Sequence, residues 1–205
     1  MSNLFEHLSA LYEEGHARDI PGLLSDADLA VAGTLTPAAV LIAITDQAEP
    51  SVILTQRPRG MRDHPGQVAF PGGKLDAGED AVTAALREAE EELALPREAV
   101  RVIGTSDLYS TGTGFDVTPV LAVVPPGLPL SPNPEEVEAW FDPPLSLLLD
   151  PENWETNEAF WKGRTRRFLD MHYEGFRIWG VTAAIIANLG RRIPLDRLKT
   201  EIGTA

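Results

Sequence analysis

The sequence predicts an α/β fold of the α+β type, a mixed β-sheet flanked by a few helices, on three observations. Apolar runs that read as strands outnumber segments with helical periodicity. The two kinds do not alternate strictly, which argues against a doubly wound parallel sheet. The 17 glycines and 17 prolines exceed the usual combined share of roughly 12% and leave much of the chain to loops. With 205 residues, 43% apolar and 23% charged, the chain can bury the core of a single decorated domain.

Leu4, Leu8 and Leu11 recur at helical spacing before Gly15, so residues 1–30 are expected to form a helical extension outside the main sheet, with the principal domain over 31–205. Ala38–Thr45 is an unbroken apolar run after Pro37, too short for a buried helix, and reads as a buried strand. Further strands are expected at Ser51–Thr55, Gln67–Phe70, Arg101–Asp107, Val117–Val124 and Val137–Phe141. Helical periodicity marks Asp80–Leu95 and Val181–Leu189, stopped by Pro96 and Gly190. Pro125–Pro134 reads as a connecting loop, and Gly112-Thr113-Gly114 as a flexible one. Two long uncharged stretches, Leu29–Thr45 and Val117–Pro134, fail as membrane spans because prolines interrupt them and a span needs roughly 20 mostly apolar residues.

The net charge of −14 repels phosphate backbones and anionic membranes, so neither a nucleic acid nor a membrane is expected as partner. A small anionic substrate would need a cation to mediate. The absence of cysteine excludes a disulfide framework, a thiolate nucleophile, an iron–sulfur cluster and a cysteine-held zinc. A cytoplasmic setting is the default expectation, and Met1–Glu6 shows no basic leader before an apolar run. There is no G-x-x-x-x-G-K-[ST] loop, no H-E-x-x-H and no G-x-S-x-G elbow.

The most informative segment runs from Gly72 to Leu93. On a helical wheel Val82, Ala85, Leu86, Ala89 and Leu93 form one apolar stripe, while Glu88, Glu91 and Glu92 stand at i, i+3 and i+4 in a patch that points away from it. Like charges at these spacings, with no lysine to relieve them and near the helix C-terminus, are unfavourable. A solvated acidic face is the ordinary reading of such a run. The cost is better explained if the patch holds a cation, and carboxylate oxygens suit Mg²⁺ or Mn²⁺. Phe70-Pro71-Gly72-Gly73 forces a tight turn ahead of the helix and lets the backbone approach a ligand.

Gly73, Glu79 and the run Arg87-Glu88-Ala89-Glu90-Glu91-Glu92 together resemble the Nudix box, a signature of hydrolases that cleave nucleoside diphosphates linked to another moiety. Ala89 and Ala94 depart from the usual box, and neither change removes a carboxylate. Leu54-Thr55-Gln56-Arg57, then Arg62, Gly66 and Phe70–Gly73, are similar to the coenzyme A pyrophosphatase branch, although Pro58 replaces a small residue there. The resemblance spans roughly residues 38–189 and implies a Nudix-like α/β/α sandwich over 31–205.

It also implies a metal-dependent hydrolase that cleaves coenzyme A or its thioesters to 3′,5′-ADP and 4′-phosphopantetheine or its acyl form. Glu88 and Glu92 are the expected ligands of Mg²⁺ or Mn²⁺, and Glu91 a ligand or the proton acceptor. Glu79 either joins the cluster through a water or holds Arg87 in an ion pair. Arg57, Arg62, Gly72, Gly73 and Lys74 are expected to meet the substrate, arginine's planar fork being suited to phosphate. His64 is read as a turn residue, Arg164, Arg166 and Arg167 as surface, and Tyr109, Phe115, Phe176 and Trp179 as core rather than pocket. Other expectations are hydrolysis of ADP-ribose, a dinucleotide or a nucleoside triphosphate, a non-catalytic nucleotide or acyl-coenzyme A sensor, and a calcium-binding surface. A homodimer is possible.

Overall fold

The computed structural model describes residues 3–29, 35–61, 64–161 and 163–202. Helix α1 spans Leu4–His16, followed by strands β1 (Thr36–Thr45), β2 (Leu54–Gln56), β3 (Val68–Ala69) and β4 (Gly72–Lys74). Then come α2 (Ala81–Leu93), β5 (Arg101–Thr105), β6 (Tyr109–Ser110), β7 (Phe115–Val124), β8 (Ala139–Phe141) and α3 (Leu145–Leu149). The chain closes with β9 (Glu155–Trp161), β10 (Arg164–Tyr173), β11 (Phe176–Trp179), α4 (Gly180–Arg192) and α5 (Leu195–Ile202).

The central sheet is mixed, in the order β4-β1-β7-β5, with β6 also on β7. Strands β1 and β7 pair in parallel from Thr36↔Phe115 to Thr45↔Val124, and β4 and β5 are antiparallel to their neighbours. Because side chains alternate across a strand, β1 feeds two cores. Ala39, Leu41 and Ala43, with Val120 and Ala122 of β7, meet Ala84, Ala85, Ala89 and Leu93 of α2. Ala38, Ile42 and Ile44, with Leu121 and Val123, meet Leu8 and Leu11 of α1 and Ile185 and Leu189 of α4. Helices therefore cover both faces of the mixed sheet, as the sequence predicts.

Two small antiparallel sheets complete the chain, β3-β2-β8 and β11-β10-β9. The second was not expected. β9 and the first half of β10, ETNEAFW and RTRRF, carry polar residues on both faces and so show no period-2 apolar alternation. The expected strand at Ser51–Thr55 is shorter, with Ser51 and Val52 making isolated bridges before Leu54. Among the described residues no helix is long and apolar enough to cross a membrane.

Candidate active site

α2 starts where Asp80 accepts the Thr83 amide hydrogen bond at 2.8 Å, an N-cap that satisfies one of the orphan donors of the first turn. It ends at Ala94, held at φ 53° and ψ 33°, with its N–H on the Ala89 and Glu90 carbonyls. The apolar stripe is centred on Ala84, Ala85, Ala89 and Leu93, whereas Val82 and Leu86 are only half-buried. Small alanines let α2 lie close to β1 and β4.

Arg87 ties this helix to the edge strand. Nε and Nη2 donate to the two Glu79 carboxylate oxygens at 3.0 Å each, and Nη2 also donates to the Lys74 carbonyl at 3.1 Å. Nη1 donates to Glu88 Oε1 and Glu91 Oε2, both at 3.0 Å. All five guanidinium hydrogens are thereby engaged. The Glu79 carboxyl is held below its usual range, first by the Arg87 hydrogen bonds, and Arg87 is raised in turn, first by Glu79. The like-charge repulsion expected along the helix is thus relieved by an arginine four residues before Glu91.

Glu88 and Glu92 come together as the wheel predicts, but Glu92 is buried at 6% exposure instead of pointing to solvent. A helical wheel gives the direction of a side chain and not what packs over it. The cover is the connector after β7: the Ser131 and Asn133 amides donate to the Leu93 and Glu92 carbonyls at 2.8 Å each, satisfying the open end of α2. This docking brings in Glu136, whose Oε1 accepts from Asn133 Nδ2 at 3.3 Å. Ligand oxygens of Glu88, Glu92 and Glu136 lie within 4.8 Å of one another. Glu91 stands outside that group, half exposed beside Arg87.

Sequence reasoning missed Glu136. Its only signal was an acidic pair at the end of a proline-rich loop.

Burial, then the charges of Glu88 and Glu136, push the Glu92 carboxyl up to about 8. Burial is also the chief cause that raises Glu88. Glu92 Oε2 is buried with no hydrogen-bond partner. Three crowded carboxylates and an orphaned buried oxygen form an oxygen-only donor set that fits a hard divalent cation, which would supply the missing partner and relieve the repulsion.

Gly72 and Gly73 form the other wall. A Cβ on Gly73 would stand 2.3 Å from Glu88 Oε1, and one on Gly72, whose φ is +156°, would stand 2.3 Å from the Ala39 carbonyl. The same glycines line a cavity of about 640 Å³ with Arg57, Lys74 and Phe115. Its floor is the α4-facing side of β1 and β7, with Ala38, Val40 and Val117, and Gly73, in its wall, lies directly against Glu88. Arg57 Nε is buried there without a hydrogen-bond partner, and Lys74 Nζ lies 5.7 Å from the Phe115 ring centroid. Arg62 lies outside the described residues.

Phe115, expected in the core, packs against it and also lines the cavity, and Trp179 lines the neighbouring one, while Tyr109 is buried and Phe176 stacks on Phe141 at 3.9 Å between centroids. Of the basic trio, Arg166 is not a free surface residue but pairs with buried Asp26, and Arg167 is exposed with Glu158 at 2.7 Å. His64 sits in a turn at φ 52°.

A helix of carboxylates thus packs on an edge strand that opens with two glycines, with a cationic cavity across that strand, and the families that the chain matches are hydrolases of pyrophosphate bonds. The chain belongs to the NUDIX domain family, which it matches over residues 35–161, before β10, β11 and α4. It is 44% identical over 157 residues to the uncharacterized Nudix hydrolase NudL of Escherichia coli O7:K1 (strain IAI39), covering 76% of this chain and 82% of that protein. It is 41% identical, with the same coverage, to NudL of Salmonella paratyphi B. RenU, a Nudix hydrolase from M. smegmatis, shares the fold with a TM-score of 0.51 at 22% identity, over 90% of this chain and 96% of RenU. Nudix hydrolases require divalent metal ions, which accords with the carboxylate set here.

Proposed function

We propose that the chain hydrolyses the diphosphate of coenzyme A or its thioesters to 3′,5′-ADP and 4′-phosphopantetheine or its acyl form. The observation that carries the reaction is the buried, unpartnered Glu92 oxygen beside Glu88 and Glu136. Mg²⁺ or Mn²⁺ would be held by ligands drawn from those three residues. When bound, the ion neutralises phosphate charge and lowers the pKa of a water.

The chain's own residues do the rest. Whichever of the three carboxylates is left off the ion accepts the water's proton. Glu91, on its Arg87 bond, is a further acceptor. Arg87 and Glu79 are positioning residues: with its donors engaged, Arg87 fixes Glu88 against Gly73 and leaves no hydrogen for a phosphate. The Gly72–Gly73 backbone lets the diphosphate pass close to the carboxylates, and Arg57 and Lys74 meet its oxygens from the cavity. The coenzyme A assignment rests on the signature through Arg57, Arg62 and Phe70–Gly73, of which Arg57, Phe70, Gly72 and Gly73 share that cavity wall.

Incubation of the protein with coenzyme A and Mg²⁺ or Mn²⁺ in heavy-oxygen water, followed by mass measurement of both products, tests the reading. One heavy oxygen in one product, lost in Glu92→Gln by orders of magnitude in rate, is expected. Turnover of ADP-ribose with none of coenzyme A would refute the substrate.

A further inference from the structure

A second cavity, of about 290 Å³, opens off the first. His64, Gln67, Thr111, Thr113 and Val181 belong to both walls, so the two form one channel. Its inner end is formed by Phe168 and Trp179, whose rings meet edge to face at 5.6 Å, and by the ion pair of Asp26 with Arg166, with exposed Ala159 and Phe160 as the rim on the solvent side. A third space of about 220 Å³ lies beyond and shares that same pair in its wall. Phe168 and Gly180 belong to both walls too, so the pair is the charged part of a partition that the Phe168 ring and the Gly180 backbone complete.

The partition is firmly built. Asp26 is 8% exposed, and its amide donates to the Ser110 carbonyl at 2.9 Å. Arg166 stands opposite Ala159 in the β9–β10 ladder. Charge is distributed unevenly along the channel. Arg57 and Lys74 stand at the wide end beside Gly72 and Gly73, whereas at the inner end Arg166 is neutralised by Asp26. Phosphates are favoured at the wide end. A second anion pushed inward would lose hydration without finding an unpaired cation, so the inner end suits an uncharged chain.

We infer that the channel receives the arm carried on the far side of the substrate's diphosphate, and that the Asp26–Arg166 pair is a stop limiting that arm's length. The enzyme thereby selects nucleoside diphosphates with a slender, uncharged arm that ends at the pair. This inference rests on the diphosphatase reading above, and the pair acts on specificity without touching the reacting atoms.

Coenzyme A, its acetyl thioester and its palmitoyl thioester are compared in two measurements: turnover with Mn²⁺, and calorimetric binding in chelator. The wild type is expected to favour acetyl over palmitoyl at least tenfold in both. The double variant Asp26→Ala with Arg166→Ala, which removes both members of the pair together, is expected to raise the palmitoyl-to-acetyl ratio at least tenfold by joining the channel to the third space. A relative gain for one ligand is not an effect of misfolding. Ala159→Trp, at an exposed position lining the inner end, is expected to weaken every thioester relative to 3′,5′-ADP, which has no arm. Equal palmitoyl and acetyl values in the wild type, or ratios unchanged in both variants, overturn the stop. Length-dependent binding without cleavage supports the stop and overturns the reaction instead, and failure of all three ligands both to bind and to turn over with Mn²⁺ overturns both.

Discussion

Glu92 concentrates the energetics of the site in one side chain. Its carboxyl is shifted from 4.5 to about 8, chiefly by burial, so the folded state binds its proton more tightly than the unfolded state does. The associated stability is fully present below the unfolded value and is lost as pH rises through about 8, at about 1.4 kcal/mol per unit. The metal-free protein should therefore melt lower at about pH 9 than at about pH 6, and Glu92→Gln in chelator should exceed the wild type at the higher pH. Added Mn²⁺ competes with the proton for the same oxygens, so its stabilising shift should be larger at the higher pH. Thermal melts of both proteins at two pH values, with and without Mn²⁺, check all three; a pH-independent Mn²⁺ shift would show that Glu92 is not titrating against the ion. Gly73 is the second sensitive position. Alanine there would drive a methyl into the Glu88 carboxylate, and since misplacement by about 1 Å can cost 10²-fold, turnover should fall by about that factor while the metal-free melting temperature stays nearly unchanged.

At the scale of elements, α2 shows a stored cost at its end. Ala94 adopts the left-handed conformation that glycine takes freely, at a penalty of about 1 kcal/mol for a residue with a Cβ. Ala94→Gly should raise stability by about 0.5–1 kcal/mol, a melting shift of about 2 °C, because Ala94 is exposed and loses no packing. A fall in stability would mean that the connector over Glu92 and Leu93 depends on that methyl. Elements with strong periodicity or unbroken apolar runs, α2, β1 and β7, were legible in the sequence to within a few residues. β4 was not, since Gly72 and Gly73 have no side chains to show a pattern, and its strand pairing comes from register with β1. The grouping of side chains was legible where it lay on one helix, as with Glu88 and Glu92. It was illegible where two segments met: Glu136 arrives through backbone bonds to the end of α2, and Arg166 is buried by Asp26, which lies 140 residues away.

The whole molecule depends on how the first segment is fastened to the last. Leu4, Leu8 and Leu11 sit in the same core as Ile185 and Leu189, and the fastening continues past α1 through polar bonds from three residues of α4. Asn188 both donates to the Leu24 carbonyl and accepts its amide, at 2.9 and 2.7 Å. Arg191 donates to the Pro21 and Gly22 carbonyls. Arg192, 7% exposed, grips Asp107 with two nitrogens at 2.9 and 2.7 Å and donates to the Gly15 carbonyl at 2.8 Å. It holds the Asp107 carboxyl below its ordinary value, so this contribution is present at neutral pH and lost as acid protonates Asp107. Arg192→Met would leave Asp107 partly buried without its partner and strand the Gly15 and Arg18 carbonyls, at about 3 kcal/mol, or about 10 °C in melting temperature. The deficit should narrow at low pH, because protonation of Asp107 removes the same interaction from the wild type. Segment 17–29 should become the first site of proteolysis in the variant, while the Mn²⁺-induced shift persists because Glu88 and Glu92 of α2, and the connector that brings Glu136 to them, lie across the sheet. Loss of that shift together with the N-terminal fastening would mean that the two faces of the sheet are coupled, and that the N-terminal segment helps to place the carboxylates as well as the channel.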